Sequence, residues 1–471
     1  MSGDRMSHAE QVGAGLSSAL ISGRLDALPA TRSIWIRVLL ISLGGYFEFY
    51  DLFFTGYIGP ALVRSGILTA STQGLFGTTG LASFVAAMFS GLFLGTMAFS
   101  FLADRVGRRA IFTYSLLWYS AATVMLAFQT DAFGLNFWRF VAGIGVGVEL
   151  VTIDTYLSEM VPRHLRGRAF AYNQTIQFLA VPSVALLAWL LVPKQPLGFD
   201  GWRWVVLIGA AGAILVWIIR LKVPESPRWL ANHGRIEEAE RIVSDLEARV
   251  RAEHGRPFPA HATPQVEMQG GRFSEIWKPP YRRRTIMMSI FHVFQTVGFY
   301  GFSNWVPTLL ISQGIAVTTS LQYTFVIAIA APFGPLLGAL IADRVERKWQ
   351  IVWAALGMAV FGIAFGQMRA AAGLIAFGVL LTISNNILSF SCHAYQTELF
   401  PTRIRALAVG FVYSWSRLSV VLSAFVIAFV LDRFGAPGVF TLIAGSMGVV
   451  MLTIGLFGPK TNNLALEDIS K

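Results

Sequence analysis

Ala103-Asp104-Arg105-Val106 and Ala342-Asp343-Arg344-Val345 carry the same four residues 239 positions apart. Glu159, Pro162 and Arg166 return at that same offset as Glu398, Pro401 and Arg405. One offset shared by two different motifs indicates a chain built from two related halves. Between and around these motifs the sequence is apolar. Cutting it at its charges leaves twelve stretches, near 36–61, 79–102, 111–129, 133–157, 169–193, 203–221, 286–311, 320–342, 350–368, 370–396, 406–431 and 437–457. Each is close to the roughly 20 residues that cross a bilayer as a helix. The repeat therefore reads as six spans plus six.

Composition agrees. Only 13% of the 471 residues are charged and 55% are hydrophobic, where a soluble domain carries about 25% charged residues. A single cysteine, Cys392, excludes an intrachain disulfide and any cysteine-cluster metal site. The net charge of +11 would suggest nucleic acid in a soluble chain, but its distribution argues otherwise. With both ends on one side, 30 of the 37 Lys+Arg fall on that side and five on the other, leaving Arg139 and Arg417 inside spans. Lys/Arg-rich loops stay cytoplasmic, so both termini are expected in the cytoplasm of a multi-pass inner-membrane protein. The basic excess is then topology, not a nucleic-acid footprint. Residues 1–33 are polar and lack the apolar core of a signal peptide.

The expected organisation is a cytoplasmic tail over 1–33, a six-helix half over 34–221, a linker over 222–284, a second half over 285–458 and a tail over 459–471. Ser226-Pro227 opens the linker as a helix start. Ile236, Ala239, Ile242, Val243, Leu246 and Val250 then recur at helical spacing with charges between them. That pattern predicts an amphipathic helix against the cytoplasmic side.

Three motifs carry a family resemblance that covers almost the whole chain. Asp104-Arg105-Val106-Gly107-Arg108-Arg109 resembles the signature loop of the major facilitator superfamily. Pro224-Glu225-Ser226-Pro227-Arg228-Trp229-Leu230 and Tyr395-x-x-Glu398-Leu399-Phe400-Pro401-Thr402-x-x-Arg405 resemble motifs shared by sugar porters and organic ion transporters. Ser100 and Glu346 stand where those loops usually have glycine. Glu149-Leu150 makes the chain most similar to bacterial niacin transporters, which are related to synaptic vesicle glycoproteins and organic anion transporters. The resemblance implies an all-α membrane protein of twelve helices that works by alternating access.

The recurring charges have a use in that frame. Asp104, Arg105, Arg108, Glu159, Arg166, Glu225, Arg228, Asp343, Arg344, Glu398 and Arg405 are expected to form cytoplasmic ion pairs that latch the halves and break as the inside opens. The plainer alternative is that they cap helices and set orientation. Charges inside the spans cost several kcal/mol and mark functional positions. Asp51 and Arg139 match the first-span acid and fourth-span arginine of proton-coupled sugar porters, which implies a coupling pair. Glu149 and Glu48 are further coupling candidates, while Asp154, nearer the cytoplasm, is expected to be structural. The glycines of Gly143-x-Gly145-x-Gly147 are expected to permit close helix packing.

For the substrate, sugar porters carry a pair of glutamines and then an asparagine in span seven, where this chain has Phe294, Gln295 and Tyr300, and a tryptophan in span ten, where His393 stands; Gln174 does match a substrate-facing glutamine. Arg417 lies midway along span eleven, where similar organic anion transporters carry a basic residue. A guanidinium offers a two-pronged clamp to a carboxylate. Tyr46, Phe47, Phe299, Phe302, Tyr413 and Trp415 are candidate aromatics around it, although not all can face inward. Arg417 as a structural partner of Glu48 or Glu149 is the alternative. The reading is proton-coupled uptake of a small aromatic monocarboxylate, nicotinate foremost, by a monomer that needs no cofactor or metal. Other ring acids, organic cations, sugars and a non-transporting sensor are the alternatives. No Walker motif, zinc cluster or supported nucleophile elbow points to an enzyme; His292 and His393 are isolated in sequence.

Overall fold

The computed structural model describes residues 19–69, 71–221, 223–255, 272–341 and 344–461. A short helix α1 (19–26) precedes the membrane helices. The first half comprises α2 (Arg32–Arg64), α3 (Gly80–Val106), α4 (Arg108–Ala127), α5 (Ala132–Met160), the pair α6 (Arg166–Phe178) and α7 (Ala180–Leu191), and α8 (Gly201–Arg220). Helices α9 (Pro227–Asn232) and α10 (Ile236–His254) form the linker. The second half comprises α11 (Tyr281–Ser303) with α12 (Val306–Ser312), α13 (Val317–Ala328) with α14 (Phe333–Ile341), α15 (Arg347–Gln367), α16 (Ala371–Glu398) and α17 (Thr402–Phe457).

Among the described residues, ten stretches are long and apolar enough to cross a membrane by length and composition. Two physical details bring the number to twelve. Helix α17 is two spans, turned at Gly435, whose φ of 66° only glycine adopts without strain. Helix α11 is the remaining span, less apolar because His292, Gln295 and Thr296 interrupt it. The chain is thus an all-helical, multi-pass membrane protein of twelve spans in two halves of six.

Local chemistry explains the helix ends. Asp131 caps α5 by accepting from the Gly134 N–H at 2.8 Å. Ser226 caps α9 by accepting from the Trp229 N–H, with Pro227 in the first turn. Ala239, Val243, Leu246 and Val250 of α10 are buried, as the linker periodicity predicts. They meet a second core formed with Ile34, Phe112, Tyr156, Leu157 and Trp229. That core also takes Ile21, Leu25 and Leu28, so residues from 19 onward are not a slack tail. Arg24 bridges Glu247 at 2.8 Å and Asp26 bridges Arg228 at 2.7 Å, strapping the segment onto the linker.

Spans two and four touch backbone to backbone. A Cβ at Gly91 or Gly95 would lie 2.1 Å from the carbonyl oxygen of Phe140 or Ile144; one at Gly143 or Gly147 would lie 2.3 Å from that of Met88 or Leu92. Small residues alone let two membrane helices approach this closely. Gly147→Ala is therefore expected to lower the melting temperature of the purified protein by several degrees. Gly410→Ala, which meets nothing within 4 Å, should not. Equal melting of both variants would contradict the seam.

Candidate functional site

Three spans are interrupted, each four residues before a proline. Proline has no N–H, so the carbonyl four residues earlier loses its helical donor. Pro182 does this to Phe178, where α6 ends; Pro307 to Ser303, where α11 ends; and Pro332 to Ala328, where α13 ends. Broken membrane helices are tolerated where they line a cavity or are buried in protein. Here the three breaks meet around one small cavity of about 30 Å³, which Phe178, Ser303 and Ala328 all line. Phe53 and Tyr57 of α2 and Asn385 of α16 complete its walls. The Asn386 Nδ2 donates to the Ala331 carbonyl at 2.9 Å, and the Ser320 hydroxyl to that of Pro307 at 2.8 Å.

In the first half, Arg139 Nη1 donates to Asp51 Oδ2 at 2.8 Å, and Nη2 to the Asp51 carbonyl at 2.6 Å and to the Thr55 hydroxyl. Thr123 donates to the other carboxylate oxygen at 2.8 Å. The guanidinium lies over the rings of Phe54 and Phe84, 4.2 and 5.5 Å from their centroids. Arg139 and Asp51 are both buried, at 0% and 3% exposure. Removing one partner of a buried pair costs about 3–5 kcal/mol. Thr55 and Thr123 are supports that charge-based reading passes over. Glu48 and Glu149 are fully buried as well.

In the second half, Arg417 is 3% exposed. Its Nη1 donates to the Tyr300 hydroxyl at 3.0 Å and its Nη2 to the Tyr413 hydroxyl at 3.1 Å. Among the described residues none of its hydrogen-bond partners is a carboxylate, and its Nε has no partner. The Tyr413 ring, 4.7 Å from the guanidinium, collects both histidines: the rings of His292 and His393 lie 5.2 and 5.5 Å away. His292 Nε2 is 3.0 Å from Gln396 Oε1 and His393 Nδ1 is 2.7 Å from the Ser389 carbonyl. The two histidines, isolated in sequence, thus share one tyrosine. Glu48 is near enough for its charge to act on Arg417, and Asp154 for its charge to act on Tyr413. Asp154 is exposed although it lies within α5.

Other candidates divide. Tyr300 packs on Phe89 of the first half at 4.6 Å, and Phe299 lies 6.4 Å from Phe53 and 6.3 Å from Phe178, so span seven joins the halves. Gln295 is buried, Tyr46 is half-buried against Phe47, and Gln174 keeps a buried carbonyl oxygen without a partner among the described residues. Trp415 turns away: it is 38% exposed and meets Phe411, which packs on Phe273 and Trp277. Two residues along a helix point nearly opposite ways, so Arg417 and Trp415 cannot share a cavity. Phe47 packs on α8 at Gly212, and Phe302 reaches Phe365 and Phe440.

At the linker end, Arg108 bridges Glu159 at 3.1 Å inside the first half and Arg347 bridges Glu398 at 2.6 Å inside the second. Neither pair joins the halves. Each forms because the arginine-bearing loop and the glutamate-bearing helix end are neighbours within one half. Glu225 accepts from the backbone N–H of Arg108 and Arg109 instead of an arginine side chain. Arg228 takes Asp26, while Arg166 and Arg405 turn to the carbonyls of Val161 and Phe400. Arg344 is exposed. Asp343 and the side chains of Asp104 and Arg105 lie outside the described residues. At the opposite end the halves meet tightly. A Cβ at Gly56 would lie 2.4 Å from the Asn304 carbonyl oxygen, and Trp189 stacks on Phe325 at 5.7 Å.

Comparison with known proteins gives this architecture a family. YyaJ of Bacillus subtilis (strain 168) is 32% identical over 444 residues, covering 94% of this chain and 96% of that protein. The niacin transporter NiaP of Acinetobacter baylyi (strain ATCC 33305 / BD413 / ADP1) is 28% identical over 449 residues, 95% of this chain and 98% of that protein. Among solved structures, the inward open xylose transporter XylE from E. coli superposes with a TM-score of 0.72 at 19% identity, over 93% of this chain and 99% of that one. The family model described as "Sugar (and other) transporter" matches residues 37–471. The chain therefore belongs to the sugar (and other) transporter family, as a membrane transporter and not an enzyme.

Proposed function

We infer that the protein takes up a small aromatic monocarboxylate together with protons, by alternating access between its two halves. One observation carries this reading: Arg417 is a buried guanidinium whose hydrogen bonds go to tyrosine hydroxyls, with Nε unpartnered among the described residues. A buried charge needs compensation, and a carboxylate entering between Tyr300 and Tyr413 would supply it. Their rings, with His393 and Phe299, offer faces to a planar ligand. Nicotinate is the first compound to try, since a relative covering nearly the whole chain is named a niacin transporter.

Asp51 and Arg139 are assigned the proton. A carboxylate separated from its cation in an apolar setting gains proton affinity. Glu48 and Glu149 are the reserve candidates. The pairs Arg108–Glu159 and Arg347–Glu398, with Arg166, Arg228, Arg344 and Arg405, are assigned to the gate at the linker end, placed in the cytoplasm of an inner-membrane protein. A sugar is the second reading, favoured by the family's description. Against it, span seven presents Phe294, Gln295 and Tyr300, and span ten His393, where a sugar site needs more amides. Stabilisation of the purified protein by acids, bases and sugars separates the readings: an organic acid raises its melting temperature under the first and a neutral sugar under the second.

Sidedness has its own test. Cys392 is buried, so wild type should give little background with thiol reagents. Arg241→Cys, on the exposed face of α10, is expected to resist an impermeant reagent in intact cells and to react after lysis. Labelling of intact cells would reverse the orientation and the gate assignment with it.

A further inference from the structure

The linker end of the first half carries an acid that belongs neither to its spans nor to the linker. Asp26, at the end of α1, accepts at one oxygen from Arg228 Nη2 at 2.7 Å and from the backbone N–H of Arg163 at 2.8 Å. It thereby ties α9 to the loop between spans four and five. The segment around it has other anchors. Arg24 grips Glu247 of α10 at two points, 2.9 and 2.8 Å apart from its oxygens. Ser33, at the start of α2, donates twice to Glu253, and Ile21, Leu25 and Leu28 are buried.

What Asp26 adds to this docking is charge. Arg166 lies near enough to Arg163 and Arg228 for their like charges to act on it, and Arg163 near enough to act on Arg405 of the second half. The neighbouring glutamates have partners of their own: Glu159 bridges Arg108, and Glu398 bridges Arg347. Among the described residues, Asp26 is the carboxylate that Arg228 bonds. The two loops are counterparts. Arg166 and Arg405 stand 239 residues apart, and each sets its Nε on the carbonyl five residues earlier, that of Val161 or Phe400. Arg405 Nη2 is buried and has no partner among the described residues. Arginines brought together in a partly buried gap repel more strongly than in bulk water.

We propose that Asp26 is a working part of the gate at the linker end: it offsets the arginines of the first half, so that Arg163 and Arg405 can approach as that end closes. The N-terminal segment is then a third component of the gate beside the two halves. The proposal rests on the gate assignment made above, and on neither the substrate nor the proton.

The test is the distance between spin labels at Ala248→Cys on α10 and Ser274→Cys in the purified full-length protein. Both positions are exposed and uncharged, and Ser274 adjoins Phe273, which packs on Phe411 of the second half. A short distance reports a closed linker end and a long one an open end. Asp26→Asn keeps the oxygen that both donors use and loses the charge, so the segment stays docked. It should lower the ratio of closed to open protein about threefold, within the range that partly exposed ion pairs contribute. Arg405→Gln alone should raise that ratio, and the two changes together should restore the wild-type value. The rescue separates charge from packing, because a segment that merely propped the first half would not be relieved by a change in the second. A ratio unmoved by Asp26→Asn, or a double variant as open as Asp26→Asn alone, overturns the role of Asp26. A ratio that none of the three variants moves overturns the gate assignment with it.

Discussion

Arg417→Ala is expected to abolish uptake and to weaken binding of the organic acid by at least about 2 kcal/mol, roughly thirtyfold, the low end for truncating one partner of a buried charge pair. The loss should fall on affinity and not on folding. Tyr300 and Tyr413 are neutral, so removing the guanidinium leaves no buried charge behind among its hydrogen-bond partners. Arg417→Lys should recover little. An ammonium keeps the charge but loses the planar fork that meets a carboxylate at two points, and it would be hard placed to reach both hydroxyls. Binding measured by calorimetry on a monodisperse, normally melting Arg417→Ala protein checks this. Affinity within threefold of wild type would remove Arg417 from the site and return it to a structural role beside Glu48.

Asp51→Asn should separate coupling from binding. The carboxamide keeps one oxygen as an acceptor for Arg139 and turns its NH2 to the Thr123 hydroxyl, which can accept, so the helix contacts of spans one and four are retained in shape. It cannot take up and release a proton. Net uptake driven by a pH gradient should fall to the background of empty liposomes, whereas exchange of labelled for unlabelled substrate should persist. Both are read in the same proteoliposomes. Concentration of substrate by the variant in response to an imposed gradient would pass the coupling role to Glu48 or Glu149. Loss of binding as well would instead place Asp51 in the substrate site.

Much of the architecture was legible because it rests on signals that survive in one dimension. The constant offset between motif pairs, the placement of basic loops and the helical spacing in the linker each report a feature the chain must keep to fold in a membrane. The glycines of span four were legible for the same reason, since close packing leaves a residue type as its trace. What escaped has a physical cause too. Inside a bilayer, lipid-facing and core-facing residues are both apolar, so no periodicity distinguishes Trp415, which turns outward, from Arg417, which turns in. The cavity was missed although its markers were present. Pro182, Pro307 and Pro332 each withdraw a donor from a helix, but counting hydropathy passes over them. Asn385 was hidden likewise, one amide in a stretch read only for its length. The docked segment from residue 19 was overlooked because Ile21, Leu25 and Leu28 make too short a pattern to outweigh the polar residues around them.

The gate was the least legible part. Acids and arginines at span ends predict ion pairs but not which ones. Arg228 could not be assigned to Asp26, about 200 residues away in sequence, without the fold. Glu225 spends its carboxylate on the backbone start of α4, where a helix N-terminus favours negative charge.

The most direct test of the central claim, that a buried guanidinium selects a carboxylate, is the binding of nicotinate and nicotinamide, side by side with xylose, to the purified wild-type protein. The ring is common to the first two and only the charge differs. The account predicts that the acid binds at least about tenfold more tightly than its amide and that the sugar does not bind. Equal affinity for acid and amide, or saturable binding of xylose alone, would contradict it.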